Sequence, residues 1–187
     1  HVVAYDLSGM GDSEARESYP DKVRAQEVVD VARGTGLFEH DAKPIVIAHS
    51  YGGHVGLSAM ERHGELFDGL IICDLMVLRV ERLKAHFSNG KPMRSDRSRP
   101  NRVYPDYASA RARFVLSPPQ PVTVEYLNEY MAYHSLKQVE GGWTWKFDIS
   151  VFDSDFGVSD RILKQAQAIV AAPGRKAIVY GQDSKLF

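Results

Sequence analysis

The chain reads as an α/β fold in which a mostly parallel, doubly wound sheet is covered by helices. Three observations lead there. Short β-branched runs alternate with segments of helical spacing through Ala32 to Leu75 and again near the end. The run Ile45 to Ala48 is apolar throughout and bounded by Pro44, the pattern of a buried strand. Composition is that of one globular domain: 187 residues, 44% hydrophobic and 25% charged, enough to bury a sizeable core.

Taken in order, Val2 to Tyr5 is a β-prone run closed by the loop-like cluster "DLSGMGDSE". Pro20 to Arg33 spaces Val23, Val28, Val29 and Val31 among charges and stops at "GTG", which predicts a helix ending on glycine. Ile45 to Ala48 predicts a strand, Tyr51 to His63 a small-residue helix closing at Gly64, and "LFDGLIICDL" a third strand. Ser159 to Ala172 predicts a helix with Ser159 as cap and Pro173-Gly174 as its stop. Arg175 to Tyr180 predicts a fourth strand. Between Met76 and Ser154 the alternation breaks down. This stretch holds most of the prolines, both tryptophans and the basic run "KPMRSDRSRPNR". Insertions after a strand of such a sheet lie over its carboxyl edge, where ligands bind, so the expectation is a lid. The expected division is core over 1–75, lid over 76–154 and core again over 155–187.

Charge narrows the choice of function. With 23 basic and 24 acidic residues the net charge is −1, so no global field favours nucleic acid or an anionic membrane. No stretch approaches the roughly 18 to 20 apolar residues of a membrane span. A single cysteine, Cys73, precludes an internal disulfide framework and fits a reducing, cytoplasmic setting. The chain starts on His1 inside one strand-like run and stops just past another. A domain truncated at both ends is therefore expected, and a leader segment cannot be judged.

The chemistry-bearing stretch is "KPIVIAHSYGGHV". A strand that turns at once into a helix holds its corner residue in a strained backbone and pushes that side chain into the cleft. Ser50 stands at this corner. Small neighbours, Ala48, Gly52 and Gly53, suit the crowding of strand against helix. The amide of Tyr51, at the positive end of the helix, can face a developing oxyanion. S-x-G alone is a weak signal, and the bland alternative is a glycine-rich turn in which Ser50 merely caps the helix.

"VVAYDLSGMGDSE", "PIVIAHSYGGHVGL", "FDGLIICDL" and "KAIVYGQDS", in this order and spacing, resemble the α/β-hydrolase fold over nearly the whole chain. The first resembles the family's strand and D-L-R-G-H-G-x-S loop, with Ser8 and Met10 where Arg and His often stand. The second resembles its nucleophile elbow, with Ala48 for the first glycine. The third resembles the core strand leading into a cap, and the fourth the strand before the catalytic acid.

The resemblance implies a serine hydrolase, carboxylesterase-like, acting on an ester-like bond of a small, largely apolar molecule without cofactor. The elbow serine disfavours the branches that attack with a carboxylate. An acyltransferase using the same triad, and a non-catalytic ligand receptor, are the alternatives. A serine hydroxyl needs a base, and the base needs a third group to hold it; the family orders these Ser, acid, His. Asp183 is the expected acid, one residue short of the family's usual G-x-x-D spacing from Gly181, and Asp74 after "LIIC" is the alternative.

No histidine follows Asp183, and none of the seven upstream fits the base. His49 should point to the opposite face from Ser50, while His54 and His63 belong to the elbow helix. His86 and His134 lie in the insert, and His1 and His40 show no pattern. No H-x-H or H-x-x-x-H spacing occurs, so no metal is expected. The base and the second oxyanion donor are expected outside these residues, which alone should be inactive.

In the insert, Tyr126, Tyr130 and Tyr133 fall on one helical face, with Trp143 and Trp145 nearby. They form either an apolar substrate wall or packing that buries the insert. Lys91 to Arg102, with five basic residues and one acid, is expected to be a solvated turn.

Overall fold

The computed structural model describes residues 1–75, 100–116, 121–152 and 165–184. The described residues form two compact units, one of 1–5, 19–75 and 165–184, the other of 6–18, 100–116 and 121–152.

The first unit is built on a three-stranded parallel sheet: β1 (Ile45–His49), β2 (Gly69–Cys73) and β5 (Arg175–Val179), in the order β1-β2-β5. Ile45 pairs with Gly69 and Gly69 with Arg175, and the register runs unbroken to His49, Cys73 and Val179. Three helices accompany it: α1 (Asp21–Gly34), α2 (Tyr51–His63) and α5 (Gln165–Ala171). The helix α1 starts behind Pro20, carries Asp21 in its first turn against the positive end of the helix dipole, and stops at Thr35. Gly36 then takes φ 73°, the left-handed conformation that glycine adopts without strain.

Side chains alternate across the sheet. Val46, Ala48, Leu70 and Ile72 face α2, while Ile45, Ile47 and Val179 on the other face are 48%, 69% and 53% exposed. The core gathers Val29 and Ala32 of α1, Leu57 and Met60 of α2, Leu70 and Ile72 of β2, and Ile169 and Ala172 at α5. Burying side chains of this size stabilises a fold by about 1.5–3 kcal/mol each. A charged residue is buried too. Arg24 pairs with Glu27 at 3.2 Å and stacks over the Tyr19 ring at 4.7 Å.

The other edge of β1 has no neighbouring strand among the described residues. Val2 to Tyr5, expected to be a strand, forms none, and Val2 is 93% exposed. A β-prone run becomes a strand only where a partner ladder accepts its hydrogen bonds. Instead, residues 1–3 line a groove of about 500 Å³ against Ile45 and Ile47. The remaining strands and helices follow expectation to within a residue or two, except that the strand expected over Leu66 to Leu75 starts only at Gly69, and that Ser159 and the first part of its helix lie outside the described residues.

The second unit holds the helices α3 (Tyr107–Arg111) and α4 (Glu125–Ser135) and an antiparallel hairpin of β3 (Leu136–Val139) and β4 (Gly142–Trp145). Glu129 ties its helices together, accepting from the Tyr107 hydroxyl at 2.6 Å and from Arg111 Nε at 2.5 Å. Both donors hold the Glu129 carboxyl below its usual range, the Tyr107 hydroxyl most. Tyr107 also packs edge-on against Trp143 and Tyr133. The loop "DLSGMGDSE" belongs here. The Asp6 carboxylate accepts from the Asp12 amide at 3.0 Å, Lys146 pairs with Asp12 at 2.7 Å, and the Asp148 amide donates to Gly9. A Cβ on Gly11 would fall 2.1 Å from Asp6, so the loop closes only with glycine there.

In the first unit, α2 lies unusually close to the sheet. A Cβ on Gly56 would meet Leu70 Cδ1 at 3.0 Å, Ala48 Cβ at 3.1 Å and Val46 Cγ1 at 3.2 Å, whereas one on Gly52 would meet nothing within 4 Å. Gly56→Val should therefore destabilise the fold by about 1–3 kcal/mol through overpacking. Gly52→Ala should be neutral or stabilising by up to about 1 kcal/mol through lost chain entropy in the unfolded state. Guanidinium unfolding of both variants checks this, and a Gly56→Val protein as stable as the parent would show that α2 stands off the sheet.

Candidate active site

Ser50 is the single residue between β1 and α2, so the chain reverses from strand to helix with nothing to spare. Its backbone sits at φ 48°, ψ −119°. For a residue with a side chain this conformation costs on the order of 1–3 kcal/mol and persists only where the surroundings enforce it. They do so here on both sides. The Ser50 amide donates to Cys73 O at 2.9 Å, continuing the β1–β2 ladder one step past the strand, and Ser50 O accepts from Gly53 N at 2.8 Å, opening the helix. The capping explanation of this serine does not hold. Its φ lies outside the β region that caps use, and its side chain makes no cap hydrogen bond. Ser50 is half-buried, with its hydroxyl uncommitted to the helix it precedes.

The small residues around the corner turn out to have different uses. Gly53 and Gly56 face the sheet, where a Cβ on Gly53 would come within 3.0 Å of Leu75 and 3.4 Å of Ile72. Gly52, expected to relieve the crowding, has open space around it. Tyr51 is the first residue of α2, where backbone amides point out along the axis toward the corner.

Two carboxylates lie at the same end of the sheet. Asp74 follows Cys73 directly, as Ser50 follows His49, and these two strand residues are register partners. The Asp74 amide donates to Val179 O at 2.8 Å, repeating on β2 and β5 what the Ser50 amide does on β1 and β2. Asp183 lies four residues past Val179, exposed in a turn closed by a 3.0 Å bond from Ser184 N to Gly181 O. The structure thus brings Ser50, Asp74 and Asp183 to one edge. Adjacent strands stand about 4.8 Å apart, so Asp74 is one strand from Ser50 and Asp183 starts from two.

Of the histidines, His49 is exposed, His54 rests near the Tyr51 ring at 6.5 Å, and His134 stacks with Tyr130 in the second unit. His86 lies outside the described residues, as does most of Lys91 to Arg102. Tyr126, Tyr130 and Tyr133 are 72%, 62% and 56% exposed, although Tyr133 packs edge-on against Tyr107. The groove beside β1 is lined by none of Ser50, Asp74 and Asp183.

Relief of the corner strain should be measurable. Ser50→Gly removes a cost of about 1–3 kcal/mol and loses about 0.5–1 kcal/mol to added freedom of the unfolded chain, so it should raise stability by about 1 kcal/mol. Chemical denaturation decides it, and a less stable Ser50→Gly protein would mean that the side chain itself holds the turn.

Burial pushes the His54 imidazole below its ordinary value of 6.5. The unfolded chain then takes up a proton that the folded chain refuses. Stability from this residue is complete above pH 6.5 and lost as pH falls from there toward the lower folded-state value. His54→Gln should flatten that part of the melting-temperature profile between pH 5 and 7, on the order of two pH units around the histidine range.

Comparison with known proteins bears on the fold. The chain matches a thioesterase domain from the curacin biosynthetic pathway at 20% identity and a TM-score of 0.65, over 97% of this chain and 65% of that one. It matches an esterase from Mycobacterium tuberculosis at 19% identity and a TM-score of 0.65, over 97% of this chain and 57% of that one. An N-acyl homoserine lactonase complexed with N-hexanoyl homoserine is similar at 20% identity and a TM-score of 0.51, over 95% and 58%. At these identities the likeness is one of fold, and the chain spans less than two thirds of each relative's length. No curated protein matches. No helix among the described residues is long and apolar enough to cross a membrane. The model of the Alpha/beta hydrolase family matches residues 1–183, nearly the whole chain, with the strand, corner and helix around Ser50 inside the match, and the chain belongs to that family.

Proposed function

We propose that the protein is a serine hydrolase that cleaves an ester-like bond of a small, largely apolar molecule through an acyl-enzyme, with Ser50 as nucleophile. One observation carries the reading. Ser50 is held at positive φ in the one-residue junction of β1 and α2, and its hydroxyl caps nothing. Strain of this kind, without a structural return, is what a preorganised nucleophile costs a fold. The names of the solved relatives, thioesterase, esterase and lactonase, are in keeping with it.

In this reading Ser50 Oγ attacks the substrate carbonyl while a histidine takes its proton. The carbonyl oxygen becomes an oxyanion, held by the Tyr51 amide at the positive end of α2. Collapse expels the alcohol or thiol, which receives that proton. Water then attacks the acyl-Ser50 ester, again through the histidine, and frees the acid and the hydroxyl. The histidine comes from sequence outside these residues, and a carboxylate at the sheet edge, Asp183 or Asp74, holds its tautomer. The insert read over 76–154 acts as the lid in this reading.

The test is made on the full-length protein. A fluorophosphonate probe should label it stoichiometrically at Ser50, and Ser50→Ala should abolish labelling and lower ester turnover by about 10⁴-fold or more. A folded protein that takes up no probe would instead be a ligand-binding member of the family. Acyl transfer to an added alcohol in preference to water would mark an acyltransferase.

A further inference from the structure

Asp74 is the second non-glycine residue of positive φ among the described residues, at 49°, and Ser50 is the first, at 48°. They occupy equivalent places. Each is the residue immediately past a strand, on neighbouring parallel strands whose last residues, His49 and Cys73, are register partners. Nothing in the backbone pattern demands strain at Asp74, since glycine or asparagine would take that conformation at less cost.

Its side chain adds a second cost. Asp74 Oδ1 is buried and accepts no hydrogen bond among the described residues. A buried carboxylate oxygen without a donor is expensive, and a catalytic role is one of the few reasons a native structure retains such a group. Asp183 shows neither feature: it is exposed in an ordinary turn, two strands away from Ser50 at its root.

Resting on the Ser50 reading above, we infer that Asp74 is the carboxylate that holds the base histidine, and that Asp183 is not needed for this. Asp74 Oδ1 would accept from one ring nitrogen of the imidazole, whose other nitrogen faces Ser50 Oγ. A bridge of two hydrogen bonds and one ring suits residues that leave adjacent strands of a parallel sheet. Asp74 touches neither substrate nor reacting atoms, so it is a positioning residue.

The experiment compares Ser50→Ala, Asp74→Asn and Asp183→Asn in the full-length protein, with p-nitrophenyl butyrate as the ester. Asp74→Asn should lower kcat by about 10³- to 10⁴-fold with little change in KM, as loss of the tautomer-holding carboxylate does, while Asp183→Asn stays within a few-fold of the parent. The residual activity of Asp74→Asn should have its acidic limb at lower pH, because the imidazolium has lost the negative charge that stabilised it. A purely structural role would leave that limb in place.

Stability separates the two roles again. Asp74→Gly relieves both the backbone strain and the unpaired oxygen, so its melting temperature should equal or exceed the parent's while its activity is lost. A lower melting temperature with activity falling only in step with the folded fraction would overturn the inference. So would the kinetic loss appearing in Asp183→Asn instead. If Ser50→Ala itself keeps turnover and probe labelling, the nucleophile reading fails first and this inference with it.

Discussion

Everything at this end of the sheet follows from how closely α2 approaches β1 and β2. With Leu70, Ala48 and Val46 within 3.2 Å of where a Gly56 Cβ would stand, the helix axis lies lower on the sheet than side chains of ordinary size allow. The chain passes from β1 to this helix through one residue, Ser50. The glycines of "YGGHVG" are therefore of two kinds. Gly53 and Gly56 permit the approach, and Gly52 lies on the free side. The positive φ of Ser50 goes with this close packing at the start of the helix.

Strain at Ser50 and at Asp74 is sustained by the same device. Each amide continues a strand ladder one residue past its end, Ser50 to Cys73 O and Asp74 to Val179 O. Both bonds pin the backbone from the sheet side. With domain stability typically about 5–15 kcal/mol, two residues costing about 1–3 kcal/mol each are a large share of the total. Their neighbours show no matching slack: Ile72, Leu70, Met60 and Leu57 are buried almost completely, and α1 closes over α2 from outside. The well-packed side of the sheet offsets what its carboxyl edge costs.

How much of this was legible in the sequence depends on what each feature answers to. Helices α1 and α2 and strands β1, β2 and β5 answer to hydrophobic spacing and to proline and glycine punctuation, and these are written in the residues themselves. Ser50 was legible because a β-branched run, a serine and two glycines compress a strand, a corner and a helix into one phrase. Val2 to Tyr5 misled because propensity names a strand's willingness and a partner decides its existence; the described residues supply none. The tyrosine stripe of α4 had the right period, yet periodicity cannot tell a face turned inward from one left exposed, and these side chains are exposed. Asp74 carried the weakest signal of all. Positive φ at a residue that is not glycine leaves no mark in one sequence, and an unpaired oxygen is a property of neighbours brought together only by folding. Its place just past the last strand pointed to Asp183, although G-x-x-D spacing from Gly181 falls on Ser184, whereas register, which sequence spacing does not reveal, sets Asp74 beside Ser50.

That register is also why an α/β sheet of this kind can hold chemistry at all. In an antiparallel sheet neighbouring strands leave by opposite ends, and residues following two adjacent strands are a strand length apart. A parallel sheet delivers every strand's exit to one edge, so Ser50 and Asp74, 24 positions apart in sequence, emerge side by side with their backbones held by the same ladder. The helix that must follow each strand to return the chain adds an amide-rich positive end at that same edge. Two strand exits and a helix's positive end are thereby brought to one edge by topology before any side chain is chosen. What the sequence adds is the pair of residues, one hydroxyl and one carboxylate, willing to occupy strained places where glycine would rest more easily.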